Sequence, residues 1–206
     1  TPHLLLDGHW EPWVTQVFLD EVKPGMTVLD IGANIGYFTV LAASLVGATG
    51  HVYGFEVNAE LFDILRRNLS INGFDSRSTV VNKAVYDTNT TLQFHKPSHF
   101  QGSGTVSALI TAPPTDAANA EVAASVWEQC GDTVDVIDVE AIALDSYFPD
   151  PVPKIDFVKI DAEDSEPQVL RGMKRLIDQQ DHIKLIFEFY PSHFAHRGLC
   201  ARSWLN

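Results

Sequence analysis

A chain of 206 residues with 45% hydrophobic and 20% charged content suits one soluble globular domain with a full core and room for an insertion. A net charge of −13 without any basic run argues against nucleic acid or an anionic membrane surface as partner, and no apolar stretch reaches membrane-span length. The two cysteines, Cys130 and Cys200, form no CxxC pair, which points to a reducing compartment, the cytoplasm.

Trp10, Trp13, Val14, Val17 and Phe18 recur at helical spacing, with Pro12 in the first turn and the tryptophans read as core. After Pro24-Gly25-Met26 the apolar run 28–31 predicts a buried strand. It breaks through a turn holding Gly32, Asn34 and Gly36 into a helix whose apolar face is Phe38, Leu41, Ala42, Leu45 and Val46. Such a corner brings bare backbone N–H groups close to a ligand. Asp30 at the strand tip repels phosphate and suits a cation, such as an amino acid's ammonium group. The dinucleotide fingerprint G-x-G-x-x-G is not met, because Asn34 stands at its second glycine. The stretch instead resembles the first motif of class I methyltransferases that use S-adenosyl-L-methionine (SAM).

The run 51–56 reads as a second strand and ends in Glu56, about twenty residues past the glycine turn, where an acid can accept both hydroxyls of a ribose. Asn58 predicts the N-cap of a helix through Leu61, Leu65 and Leu69. A third strand is expected over 79–85, with Asn82 to Val85, Ala84 among them, edging an adenine. Strands alternating with helices at this rhythm imply a parallel sheet with right-handed crossovers. From 87 to 130 the rhythm breaks into a short strand at 91–95, polar residues and an alanine-rich piece at 117–124, the pattern of a substrate-side insertion. His95 and His99 within it read as loop histidines and not as metal ligands.

The segment 134–140 alternates apolar with acidic residues and predicts a half-exposed strand. The next parallel strand, 155–161, ends in Asp161-Ala-Glu-Asp-Ser-Glu166. A calcium loop fails there, because Glu166 stands where its sharp turn needs glycine. Ser165 with Gln168 reads as a capping box, with Pro167 in the first turn and Leu170, Met173, Leu176 and Ile177 as the buried face. The run 182–188 is the last parallel strand. Asp30, Glu56, Asp161 and Glu188 thus stand near the carboxyl ends of four strands, on the edge where open α/β sheets bind ligands.

Together, Val28-Leu-Asp-Ile-Gly-Ala-Asn-Ile-Gly36, Val52-Tyr-Gly-Phe-Glu-Val-Asn58, Leu144-Asp145, Asp156-Phe-Val-Lys-Ile-Asp-Ala-Glu163 and Ile186-Phe-Glu188 resemble the FkbM family of methyltransferases. The resemblance implies a single three-layer, Rossmann-like, doubly wound and mostly parallel sheet over 1–206, with SAM as cofactor; the acids lack a defined ligand spacing, so no metal site is assigned. It implies methyl transfer to a hydroxyl of a sugar, lipid or secondary metabolite. Asp30, Gly32, Asn34, Gly36, Glu56, Asn58, Asn82, Ala84 and Asp161 are the candidate cofactor residues. Asp161, Glu163 and Glu188 are the candidate bases, with His193 behind them, and Asp161 stands equally as a residue that positions the cofactor. The amino-group signature Asn/Asp-Pro-Pro-Tyr is missing after the Asp161 strand, which leans the acceptor toward oxygen. Two departures from the family are Asp164 in place of glycine and closing strands missing beyond the last one read here. Two other readings remain beside this one. A SAM-binding or interaction domain without catalysis rests on those departures, and a nicotinamide oxidoreductase rests on the shared sheet alone.

Overall fold

A computed structural model describes residues 2–98, 104–106 and 133–189. In chain order its elements begin with α1 (Pro2–Asp7), α2 (Pro12–Glu21), β1 (Thr27–Ile31), α3 (Tyr37–Val46), β2 (His51–Phe55), α4 (Ala59–Ile71) and β3 (Ser78–Val81). Then come β4 (Ala84–Val85), β5 (Thr90–Pro97), β6 (Val134–Ile142), α5 (Leu144–Tyr147), β7 (Phe157–Ile160), α6 (Glu166–Gly172), α7 (Lys174–Asp178) and β8 (Lys184–Phe187). The main sheet is parallel throughout, in the order β3-β2-β1-β7-β8. A smaller sheet, β4-β6-β5, stands beside it, with β5 and β6 antiparallel.

Alternation along the strands feeds two cores, one on each face. Val28, Val52 and Phe157 pack with Phe18 of α2, Phe38, Ala42 and Val46 of α3, and Leu65 and Leu69 of α4. Leu29, Phe55, Val158 and Ile160 face the other way, against Leu144, Val169, Met173 and Leu176. Each fully buried side chain of this kind stabilises the fold by roughly 1.5–3 kcal/mol. Helices on both faces of a parallel sheet give the three-layer α/β architecture expected from the sequence.

Several residues of the family-like stretches work as fasteners. Asn58 caps α4 by accepting the Glu60 N–H at 3.0 Å. An Asp156 carboxylate oxygen accepts the Thr27 N–H at 2.9 Å and so fixes the start of β1. Asp145 accepts the N–H groups of Arg175 and Leu176, both at 2.8 Å, at the head of α7.

Three local expectations are corrected. The strand read over 79–85 is two strands in two sheets. Asn82 donates its amide to the Glu56 and Val57 carbonyls at 2.8 and 3.1 Å, and the chain leaves the main sheet there. The Ser165–Gln168 capping box does not form: among the described residues the buried Ser165 hydroxyl and Gln168 carbonyl oxygen have no hydrogen-bond partner. Glu163 (φ 45) and Asp164 (φ 74) are left-handed, and they deliver Ser165 at φ −105, ψ 9 instead of the extended conformation a cap needs. Glu166 takes over by accepting the Ala162 N–H at 2.8 Å. Trp13, at the edge of the α2 stripe, is 71% exposed, whereas Trp10 packs against the core.

Candidate functional site

In the main sheet β1 lies between β2 and β7, and all five strands run the same way, so their carboxyl ends share one rim. Gly32 is the hinge of that rim. Its φ is +73, and a Cβ there would meet the Asp161 carbonyl oxygen at 1.8 Å, so no side chain fits. Gly36, at φ +92, seats the start of α3 on Leu65. Between them Asn34 (φ 53) donates its N–H to Glu56 at 2.7 Å. The other Glu56 oxygen accepts the Asn58 N–H at 2.8 Å. The carboxylate therefore clamps the glycine turn to the end of β2, and each oxygen keeps one lone pair for a ligand. Burial, offset in part by these two bonds, holds the Glu56 pKa above the usual carboxylate range.

Lys159 lies opposite Asp30 in the β1–β7 register and is buried. Its Nζ is 3.0 Å from Asp161, 3.7 Å from Asp30 and 5.2 Å from the centre of the Phe38 ring. Burial opposes its charge, but Asp30 and Asp161 outweigh burial and raise its pKa. Asp30 accepts the Thr39 hydroxyl at 2.6 Å on one oxygen, while the other is buried without a hydrogen bond. Burial raises the Asp30 pKa more than Lys159 and Thr39 lower it. Sequence reading left Lys159 out of the site because a lysine inside an apolar strand carries no signal of what it faces.

Beyond Asp161 the chain makes a tight loop through Glu163 and Asp164. The Glu163 carbonyl accepts the buried Thr105 hydroxyl at 2.6 Å, which ties this loop to the segment bridged to His95 of β5. Burial first, then the charges of Asp161, Glu188, Asp164 and Glu166, push the Glu163 pKa up to about 8. Burial likewise pushes Glu166 up to about 7. A carboxyl raised in the folded state favours folding while protonated, and this contribution fades as pH climbs from 4.5 toward about 8. Glu163→Gln keeps the neutral shape. The variant should match the unaltered chain near pH 5 and melt about 2–8 °C higher at about pH 9, read by thermal denaturation at both values. Equal melting differences at the two values would refute a buried titrating Glu163.

Of the sequence-predicted residues, Asp30, Gly32, Asn34, Gly36, Glu56, Asn58, Asp161, Glu163 and Glu188 follow or form the carboxyl ends of β1, β2, β7 and β8. Asn82 joins them through its bonds to Glu56 and Val57. Ala84 is buried in β4, paired with Ala141 in the smaller sheet. His99, the 117–124 piece, Cys130, Cys200 and His193 lie outside the described residues. Among the described residues no group of three or more His, Cys, Asp or Glu side chains is arranged to hold a metal, and no helix is long and apolar enough to cross a membrane.

The family model for the methyltransferase FkbM domain matches residues 30–203, from the glycine turn past the last strand. The chain belongs to the FkbM methyltransferase family. A protein-L-isoaspartate O-methyltransferase of Hyperthermus butylicus is 40% identical over 68 residues, which are 30% of this chain and 28% of that protein. A probable cobalt-precorrin-6B C(15)-methyltransferase of Thermoplasma acidophilum is 33% identical over 84 residues, 41% of each chain. The solved FkbM methyltransferase of Methylobacillus flagellatus is 16% identical with a TM-score of 0.49, covering 84% of this chain and 39% of its own. This FkbM chain therefore spans 28–41% of the length of these three relatives. SAM is the cofactor that the FkbM methyltransferase family implies. The residues present fit it: among the described residues the Asn58 amide nitrogen is buried without a hydrogen-bond partner, a donor left for a bound molecule, and the Asp30 oxygen that faces Lys159 at 3.7 Å accepts no hydrogen bond.

Proposed function

We propose that the chain transfers the methyl group of SAM to a hydroxyl oxygen of a small acceptor, a sugar, lipid or secondary metabolite. The observation that carries this reading is the double seam of the glycine turn, which rests on the Asp161 carbonyl at Gly32 and on the Glu56 carboxylate at Asn34. One stretch of bare backbone thereby joins the acidic ends of two strands. In this reading the free lone pairs of Glu56 take the ribose hydroxyls, Asn58 donates beside them, and Asn82 and Ala84 edge the adenine. Asp30 and Asp161 lie toward the cationic amino-acid end.

SAM, when bound, supplies an electrophilic methyl on a sulfonium. The chain's own work is then to hold an acceptor oxygen in line and to remove its proton. Glu163 is the base in this scheme: raised to about 8, its carboxyl is a stronger proton acceptor than an ordinary carboxylate, and its ionised fraction grows as pH rises toward 8. Asp161, held by Lys159, positions the cofactor, and Glu188 stands second as base. In this reading the strand pair β5–β6 serves the acceptor side, while residues 99–103 and 107–130 of the expected insertion lie outside the described residues. We place the activity in the cytoplasm on cysteine usage, with no nucleic acid as acceptor on the charge of −13.

Calorimetric titration with SAM tests this reading, and no binding by the folded 206-residue chain would sink it. Glu56→Ala should weaken SAM binding by about 1.5–3 kcal/mol, since a charged acceptor is lost and the turn loses its clamp. Unchanged affinity would remove Glu56 from the cofactor. Cofactor binding without turnover is a second reading, favoured by Asp164 standing left-handed at φ 74 where the family has glycine. Bound SAM with no transfer across a panel of hydroxylated acceptors would favour it.

A further inference from the structure

Glu163 and Asp164 stand in succession at φ 45 and φ 74, a left-handed pair in which neither residue is glycine. Such a conformation is unfavourable for a residue with a side chain and persists only where the surroundings enforce it. Part of the enforcement is local. Ser165 donates its N–H to the Ala162 carbonyl at 3.1 Å, and Glu166 accepts the Ala162 N–H at 2.8 Å. These bonds draw the two ends of the loop together. The contact to its middle comes from another part of the fold: the Thr105 hydroxyl donates to the Glu163 carbonyl at 2.6 Å.

Thr105 is itself held in place. Its N–H donates to the His95 carbonyl at 3.1 Å and its carbonyl accepts the His95 N–H at 2.9 Å, a reciprocal bridge to β5. A Cβ on the neighbouring Gly104 would meet the buried Phe94 ring at 2.3 Å, so the segment lies this close to β5 only with glycine there. β5 in turn pairs with β6 along its whole length. Thr105 is 3% exposed, so little water can replace its hydroxyl at the Glu163 carbonyl. The residue is anchored in the smaller sheet, and its hydroxyl reaches the loop that follows β7 of the main sheet. The backbone of Glu163 also sets the direction in which its side chain leaves. What grips the carbonyl therefore aims the carboxyl.

We propose that Thr105 is a positioning residue, which from its bridge on β5 holds the left-handed loop by the Glu163 carbonyl and so aims the Glu163 carboxyl. Its catalytic consequence rests on the reading of Glu163 as base given above. The smaller sheet thereby sets the geometry of a loop at the carboxyl edge of the main one.

The test compares melting of the unaltered chain, Thr105→Val and Thr105→Ser near pH 5 and at about pH 9, each with and without Glu163→Gln. The groups acting on the Glu163 carboxyl are Asp161 after β7, Asp164 and Glu166 from its own loop and α6, and Glu188 after β8. His95, whose pKa burial lowers, stands on the bridge side. Because the Glu163 pKa is raised by folding, its ionisation weakens the folded state at the alkaline pH. Thr105→Val releases the loop, the carboxyl reaches water and that penalty shrinks. The variant should melt about 2–8 °C lower near pH 5 and lose less than half as much at about pH 9. Thr105→Ser should keep the unaltered pattern, and in the Glu163→Gln background valine should cost the same at both pH values. Where valine prevents folding, Thr105→Ala reads the same difference. On any hydroxylated acceptor that the chain methylates, Thr105→Val should lower kcat about tenfold with the KM for SAM within about twofold, and serine should restore it. Equal melting losses at the two pH values with Glu163 present would mean a merely structural role and overturn the proposal, as would an unchanged kcat. No SAM binding by the unaltered chain would remove the base reading, and the melting comparison would still decide whether Thr105 holds Glu163.

Discussion

Gly32→Ala is expected to destabilise the protein by about 2–5 kcal/mol and to abolish measurable SAM binding. Two costs add. A left-handed alanine costs roughly 1–2 kcal/mol, and forcing a methyl group into a packed site costs typically 1–3 kcal/mol. The second is severe here because the atom met is the Asp161 carbonyl at 1.8 Å, part of the backbone and unable to swing aside. Either β1 and β7 separate or the turn shifts, and both outcomes move Asn34 off Glu56. Gly47 supplies the control: its φ is +65, but no atom lies within 4 Å of a Cβ placed there. Gly47→Ala should therefore cost only the conformational part, about 1–3 kcal/mol at φ 65, ψ −164, with SAM affinity kept. Urea denaturation of both variants separates the contributions, and equal losses would show that the carbonyl contact is irrelevant.

Lys159→Met should cost about 3–5 kcal/mol, because removing one partner strands the charge of the other in a buried site. Asp30 is fully buried and would keep only the Thr39 hydroxyl. The loss has a defined pH signature. Without Lys159 the Asp30 pKa rises further above the unfolded value, so folding is favoured while Asp30 is protonated and penalised as pH rises past that point. The variant should recover stability on mild acidification, and Lys159→Met combined with Asp30→Asn should recover it at neutral pH. A single variant that melts within a degree of the unaltered protein at neutral pH would show that the lysine is not the counter-ion. SAM titration of the double variant then asks whether Asp30 is needed for the cofactor apart from the fold.

Much of this could be read from one chain because strand ends are sequence-local features. A run such as 28–31 must stop where Gly32 bends, and parallel strands joined by right-handed crossovers bring their carboxyl ends to one edge. The positions of Asp30, Glu56, Asp161 and Glu188 at strand ends were thus legible before any coordinates, as was the Asn58 cap. What each side chain touches was not. Glu56 is written the same whether it faces solvent or clamps two backbone N–H groups, and Ser165 keeps its capping pattern although two left-handed residues before it spoil the geometry.

The amino-acid sequence by itself determined the layered parallel sheet, the glycine corner and the acidic residues after the strands, since hydrophobic period, turn chemistry and chain direction act over a few residues. Only the tertiary structure decided that 79–85 divides between two sheets and that Lys159 stands between two carboxylates. The reason is physical: charge balance and backbone satisfaction are settled between elements distant in sequence, once burial has removed water as the alternative partner.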